Sequence, residues 1–137
     1  MTTIVLEIPE ELKAVESALC GVVDVIKTQA ERGRSGGPVD YAAFERQLSQ
    51  KVAEVERRGH EVALAALDVD ARQVMINKVL YTRVLRSEAS FMGFAGPSRV
   101  LRSLYRPVGE RNAPTVDLVA LRAGAIKGCG YRPRRAR

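Results

Sequence analysis

The apolar residues of this chain change their spacing once, close to residue 70. Before that point they recur at steps of three and four; after it they fall into short runs rich in β-branched and aromatic side chains. A single change of period of this kind predicts helices first and strands second, an α+β chain. Leu12, Val15, Leu19, Val22, Val23 and Ile26 trace one face of a helix that begins at Pro9 and runs to about Glu31, and that face is expected to be buried. Proline suits the first helical position because its missing N–H has no partner there. Glu10 and Glu11 place negative charge at the positive end of the helix dipole. Ile4-Val5-Leu6, ahead of it, is too short to be more than an edge strand or an extended lead-in.

Three glycines and a proline in Gly33-Arg34-Ser35-Gly36-Gly37-Pro38 break the periodicity, and Asp40 is placed to cap the next helix. From there Tyr41, Phe44, Leu48, Val52, Val55, Val62 and Ala66 keep near-heptad spacing, with Arg46, Lys51, Glu54, Glu56 and Arg57 on other faces. Two long amphipathic helices joined by a short loop read as an antiparallel hairpin. Such a hairpin seldom buries both stripes alone. Phe44, Leu48, Val52 and Val55 are therefore the expected contacts of a homodimer, the alternative being an ordinary packed hairpin with no partner.

Beyond Leu67-Asp68-Val69-Asp70, the segments Val74–Ile76 and Val79–Val84 flank Asn77-Lys78 as a two-residue hairpin turn, asparagine tolerating the positive φ required there. A second strand pair is expected from Ser90–Phe94 and Arg99–Arg106 around Gly96-Pro97. Arg99, Arg102 and Arg106 also fit one side of a helix, so residues 98–106 stay open between strand and helix, with the strand favoured by the β-branched and aromatic residues around Gly-Pro. Pro107–Pro114 reads as turns, and Asp117–Lys127 as a short helix ending at Gly128. Tyr131–Arg137 carries four arginines and is expected to be a solvated tail.

Charge follows the same division. Residues 1–70 hold 8 Lys+Arg against 13 Asp+Glu, and residues 71–137 hold 14 against 3, within a net charge of +6. These halves are taken as two domains, an acidic helical hairpin and a basic β-rich unit. Concentrated cations need an anionic partner, and duplex DNA is the natural one. Arg83, Arg86, Arg99, Arg102 and Arg106, on or beside predicted strands, are the expected phosphate contacts, with Arg111, Arg134 and Arg135 extending them. The alternative is that the acidic half neutralises the basic half internally and the hairpin recognises another protein.

The run Met92-Gly93-Phe94-Ala95-Gly96-Pro97, then Arg102-Ser103-Leu104-Tyr105-Arg106, then Gly109-Glu110-Arg111-Asn112-Ala113-Pro114-Thr115-Val116-Asp117 and Leu121-Arg122-Ala123-Gly124, resembles the N-terminal region of ISKra-type insertion-sequence transposases. The likeness extends back through Leu67-Asp68-Val69-Asp70, covering half to two thirds of the chain. It implies a bacterial mobile-element protein involved in DNA recombination, present here as an N-terminal module or truncated product. Full-length relatives look like DDE-type recombinases, whose chemistry needs three converging carboxylates and two metals. The basic half offers only Glu88, Glu110 and Asp117, so a non-catalytic protein is expected. Some relatives carry a zinc-suited cysteine pair where Val108 and Gly109 stand here, and no metal is expected.

Other chemistry finds little footing. Asp68 and Asp70 read as a solvated loop at a helix end rather than a metal pair. His60, the only histidine, has no identifiable nucleophile partner and reads as a surface residue. The glycines form no phosphate loop. Cys20 and Cys129, more than a hundred positions apart, match no metal or redox spacing, which suits a reducing compartment. With no secretory or membrane-spanning pattern at its start, the chain is expected to be cytoplasmic, without cofactor, membrane or small-molecule substrate.

Overall fold

A computed structural model describes residues 3–124. Two compact units divide between Gly59 and His60. The architecture is α+β: an antiparallel helical hairpin, a four-stranded antiparallel sheet and a short helix after it.

In the first unit Pro9 leads into one 3-10 turn, Glu10–Leu12, and then α1, Lys13–Arg34. Ile4, Val5 and Leu6 lie outside any strand and are exposed. Gly36 and Gly37 reverse the chain at positive φ. Asp40 then caps α2, Tyr41–Ala65, its Oδ1 accepting the Ala43 N–H at 3.0 Å. A Cβ on Gly21 would lie 3.6 Å from the Lys51 side chain, and Gln29 and Arg32 share a pocket with Phe44 and Gln47, so the two helices run antiparallel. The expected burial of the whole α1 stripe does not hold. Val15, Ala18, Val22 and Val25 are half-buried or buried, while Leu19, Val23 and Ile26 remain 48%, 61% and 47% exposed. One neighbouring helix covers one strip of its partner, and the adjacent strip has nothing against it.

The second unit begins inside the last turns of α2. Its sheet is a meander of β1 (Gln73–Ile76), β2 (Val79–Gly93), β3 (Gly96–Pro107) and β4 (Val116–Asp117). Asn77 and Lys78 take φ of 48° and 64° at the first turn, as its length requires. The second strand pair is not separate from the first. Val79 to Gly93 is one strand of 15 residues, because Leu85–Ala89 alternates between two faces instead of looping. Residues 98–106 are strand. Helix α3, Leu118–Ala123, is shorter than expected: Gly124 ends it at φ 70°, donating back to Ala120 and Leu121. The expected end at Gly128 lies outside the described residues.

Register divides the β2–β3 ribbon into two faces. Phe91 pairs with Ser98, Ala89 with Val100 and Ser87 with Arg102; the alternate rungs are Met92–Pro97, Ser90–Arg99, Glu88–Leu101 and Arg86–Ser103. The first face is the core side, where Phe91 and Val100 pack with Leu64 and Val119. The second is open toward the ribbon's tip. The last turns of α2 and the segment after it pass along the β3 edge. Glu61 Oε1 accepts the Arg99 N–H at 3.2 Å and Asp68 Oδ1 the Ser103 N–H at 3.0 Å, satisfying edge donors that would otherwise template further strands. The chain then crosses the open face at its base. There Tyr105, fully buried, shares its hydroxyl proton between the Val69 and Ala71 carbonyls at 2.7 and 2.9 Å.

Candidate nucleic-acid interface

A β-bulge decides where the first two candidate arginines point. Residues 83 and 86 would fall on opposite faces of a regular strand, but the register shifts between Arg83 and Leu85, so Arg83 opposes Tyr105 and Arg86 opposes Ser103. Both guanidiniums therefore reach the chain segment crossing the open face. Arg83 Nη1 donates to Asp70 Oδ1 at 2.5 Å; Arg86 pairs with Asp68 at 3.5 Å and Asp70 at 3.6 Å. The hydrogen bond from Arg83, then the charge of Arg86, hold the Asp70 carboxyl below its ordinary pKa.

Asp68 is not the solvated loop residue its position suggests. Its side chain is 3% exposed. It binds the Ser103 backbone and hydroxyl as well as Arg86, which together compensate a buried carboxylate. The sequence signal was slight, because the partners lie 18 and 35 residues away.

Arg102 and Arg106 occupy the core side. Arg102 Nε donates to Asp117 Oδ2 at 3.0 Å, and its Nη1 donates to the Ser87 carbonyl at 3.0 Å and to the Ser87 hydroxyl. Arg106 Nε donates to the Ala113 carbonyl at 3.0 Å. These two arginines tie strands and turns together. Arg122, not among the expected contacts, ties α3 to the carbonyl of Leu67 at 2.9 Å.

Arg99 differs from all of these. It stands on the open face, its guanidinium without a partner among the described residues, amid Ser90, Glu88, Met92, Pro97 and Leu101. Arg111 is exposed in the turn after β3, at the end of the sheet where Lys78 turns β1 into β2 and the Val108 N–H donates to the Leu80 carbonyl. Arg134 and Arg135 lie outside the described residues, as does Cys129. His60 is half-buried beside Gly93, not a plain surface residue. Of the dimer candidates, Phe44, Leu48 and Val55 are half-buried, with the Phe44 ring edge-on to Tyr41 at 5.4 Å, and Val52 is 49% exposed.

Charge follows the compact units less steeply than the sequence halves. Met1–Gly59 holds 8 Lys+Arg against 10 Asp+Glu, and His60–Arg137 holds 14 against 6. Among the described residues no three His, Cys, Asp or Glu side chains gather as a metal site, and no helix is long and apolar enough to cross a membrane. Comparisons with protein-family models, curated proteins and solved structures find no match.

Proposed function

We propose that this chain binds duplex DNA as a non-catalytic module, of the kind implied by the motif likeness to ISKra-type transposases. The observation that carries the reading is the open face of the β2–β3 ribbon. A two-stranded ribbon fits the major groove, and one backed by helices presents a single face of alternating side chains to base edges. That face offers the free guanidinium of Arg99, the hydroxyl of Ser90, the carboxylate of Glu88 and the apolar Met92 and Leu101. Its unit carries eight excess cations. Arg111 and Lys78 supply phosphate contacts; Arg102 and Arg106 act in the fold.

Anisotropy of a labelled duplex over a salt series tests this. Affinity should fall as salt rises, and Arg99→Ala should weaken binding by about 1–3 kcal/mol. Arg111→Ala should make the salt slope shallower by about one. A flat slope with no loss on Arg99→Ala ends the reading.

The exposed Leu19, Val23, Ile26 and Val52 favour a second copy on the helical hairpin, centred on α1 more than on the Phe44–Val55 stripe of α2. Sedimentation should report a dimer that Val23→Glu dissociates. A different reading, a protein-interaction module whose basic unit is neutralised internally, is favoured by the Asp68 and Asp70 ion pairs. It requires DNA affinity to be absent.

A further inference from the structure

The β2–β3 hairpin ends in Gly93-Phe94-Ala95-Gly96, with Gly93 opposite Gly96 and Gly96 at φ 108°. Phe94, at the apex, is 99% exposed. Among the described residues nothing covers this ring. It has no core to fill, and a tight turn favours glycine, asparagine, aspartate or serine at such a place. Met92, 50% exposed, and Pro97 form the rung immediately behind it, so the end of the ribbon is an apolar wedge carrying one flat ring at its point. Arg99 opposes Ser90 two rungs further back on the open face.

We infer that Phe94 inserts between neighbouring base pairs of duplex DNA and kinks it, an inference that rests on the DNA-binding reading above. A projecting ring, unlike an apolar hollow, needs a partner that opens a slot for it. Base steps open slots of that form. Stacked bases are separated by about 3.4 Å, and partial unstacking admits a flat apolar side chain. Charge selects the same partner. The unit bearing the wedge holds 14 Lys+Arg against 6 Asp+Glu, and the free Arg99 guanidinium stands behind the tip to meet the polyanion as the ring enters. Gly93 before the ring has no side chain and Ala95 after it only a methyl group, so the apex can approach the duplex closely.

The chain contains no tryptophan, so Phe94→Trp makes a protein with one indole emitter, located at the wedge. Titrated with an end-labelled duplex at low salt, the full chain carrying Phe94→Trp should lose its indole emission in step with the rise in duplex anisotropy. Energy transfer between dyes on the two duplex ends should increase as the duplex bends. Phe94→Ala should weaken binding by about ten- to a hundred-fold, the scale of a lost stacking contact. The salt slope should not change, since no phosphate contact is removed. Phe94 is 99% exposed, so the thermal midpoint of Phe94→Ala should equal that of the parent chain, excluding misfolding as the cause. Undiminished emission and an unbent duplex, while anisotropy reports binding, overturn the wedge and leave the open-face reading standing. Failure of the parent chain to shift the anisotropy at low salt overturns both. Phe94→Ala that binds DNA as the parent does but no longer self-associates in sedimentation assigns the tip to protein contact and likewise overturns the wedge.

Discussion

Asp117 serves two groups at once. Its Oδ1 accepts the Ala120 N–H at 3.1 Å as the cap of α3, and its Oδ2 accepts Arg102 Nε at 3.0 Å. Asp117→Ala removes a helix cap and strips a guanidinium that is only 17% exposed of its counter-ion. The expected loss is about 2–4 kcal/mol in urea unfolding. Asp117→Asn, which keeps an acceptor for the cap, should lose less. Asp70 answers to pH. Its folded pKa is lowered, first by the Arg83 hydrogen bond and then by the Arg86 charge, so its contribution is present above the unfolded aspartate value of about 3.9 and disappears as pH falls through the lowered folded value. Asp70→Asn should therefore flatten the acid limb of the thermal midpoint against pH. An unchanged limb would show that the pair is already dissolved in solvent. Asp40 was legible as a cap because a cap is defined by its own next three residues. Asp68 was not, since only the path of the chain round the β3 edge brings it to Ser103.

At the scale of elements, the turn between β1 and β2 tests local chemistry. Lys78 holds φ 64° with a side chain that gains nothing from the left-handed region. Lys78→Gly converts the turn to Asn-Gly and should stabilise the chain by about 1 kcal/mol, read as a higher urea midpoint with unchanged slope. A lower midpoint would mean that Lys78 makes a compensating contact. The extent of β2 was hidden because Arg86 and Glu88 are charged on its open side while Ser87 and Ala89 are small on the other and Leu85 is left 45% exposed, so no apolar alternation marks the strand there. The bulge was equally hidden. Nothing local to Val84 announces that Arg83 and Arg86 will share a face; that follows from pairing with Tyr105 and Ser103, some twenty residues on.

At the scale of the whole molecule, the units differ in how much they bury. Ala18 is the buried residue of the described part of the first, while the second encloses Phe91, Val100, Tyr105, Leu118, Val119 and the end of α2. In the Val23→Glu monomer, amide exchange should therefore be faster along α1 than along the paired stretches of β2 and β3. Equal protection in both would show that another surface covers the α1 stripe. By itself the sequence determined the two helices, the break between them, the Asn77-Lys78 turn and the strand character of the second half, because periodicity and turn chemistry act over a few residues. Only the tertiary structure decided the fate of the arginines. Face, edge and bulge sent Arg102 and Arg106 to brace the fold, gave Arg83 and Arg86 to two aspartates, and left the Arg99 guanidinium without a partner among the described residues, since the energy of a guanidinium depends on which carboxylates and carbonyls the folded chain brings within reach.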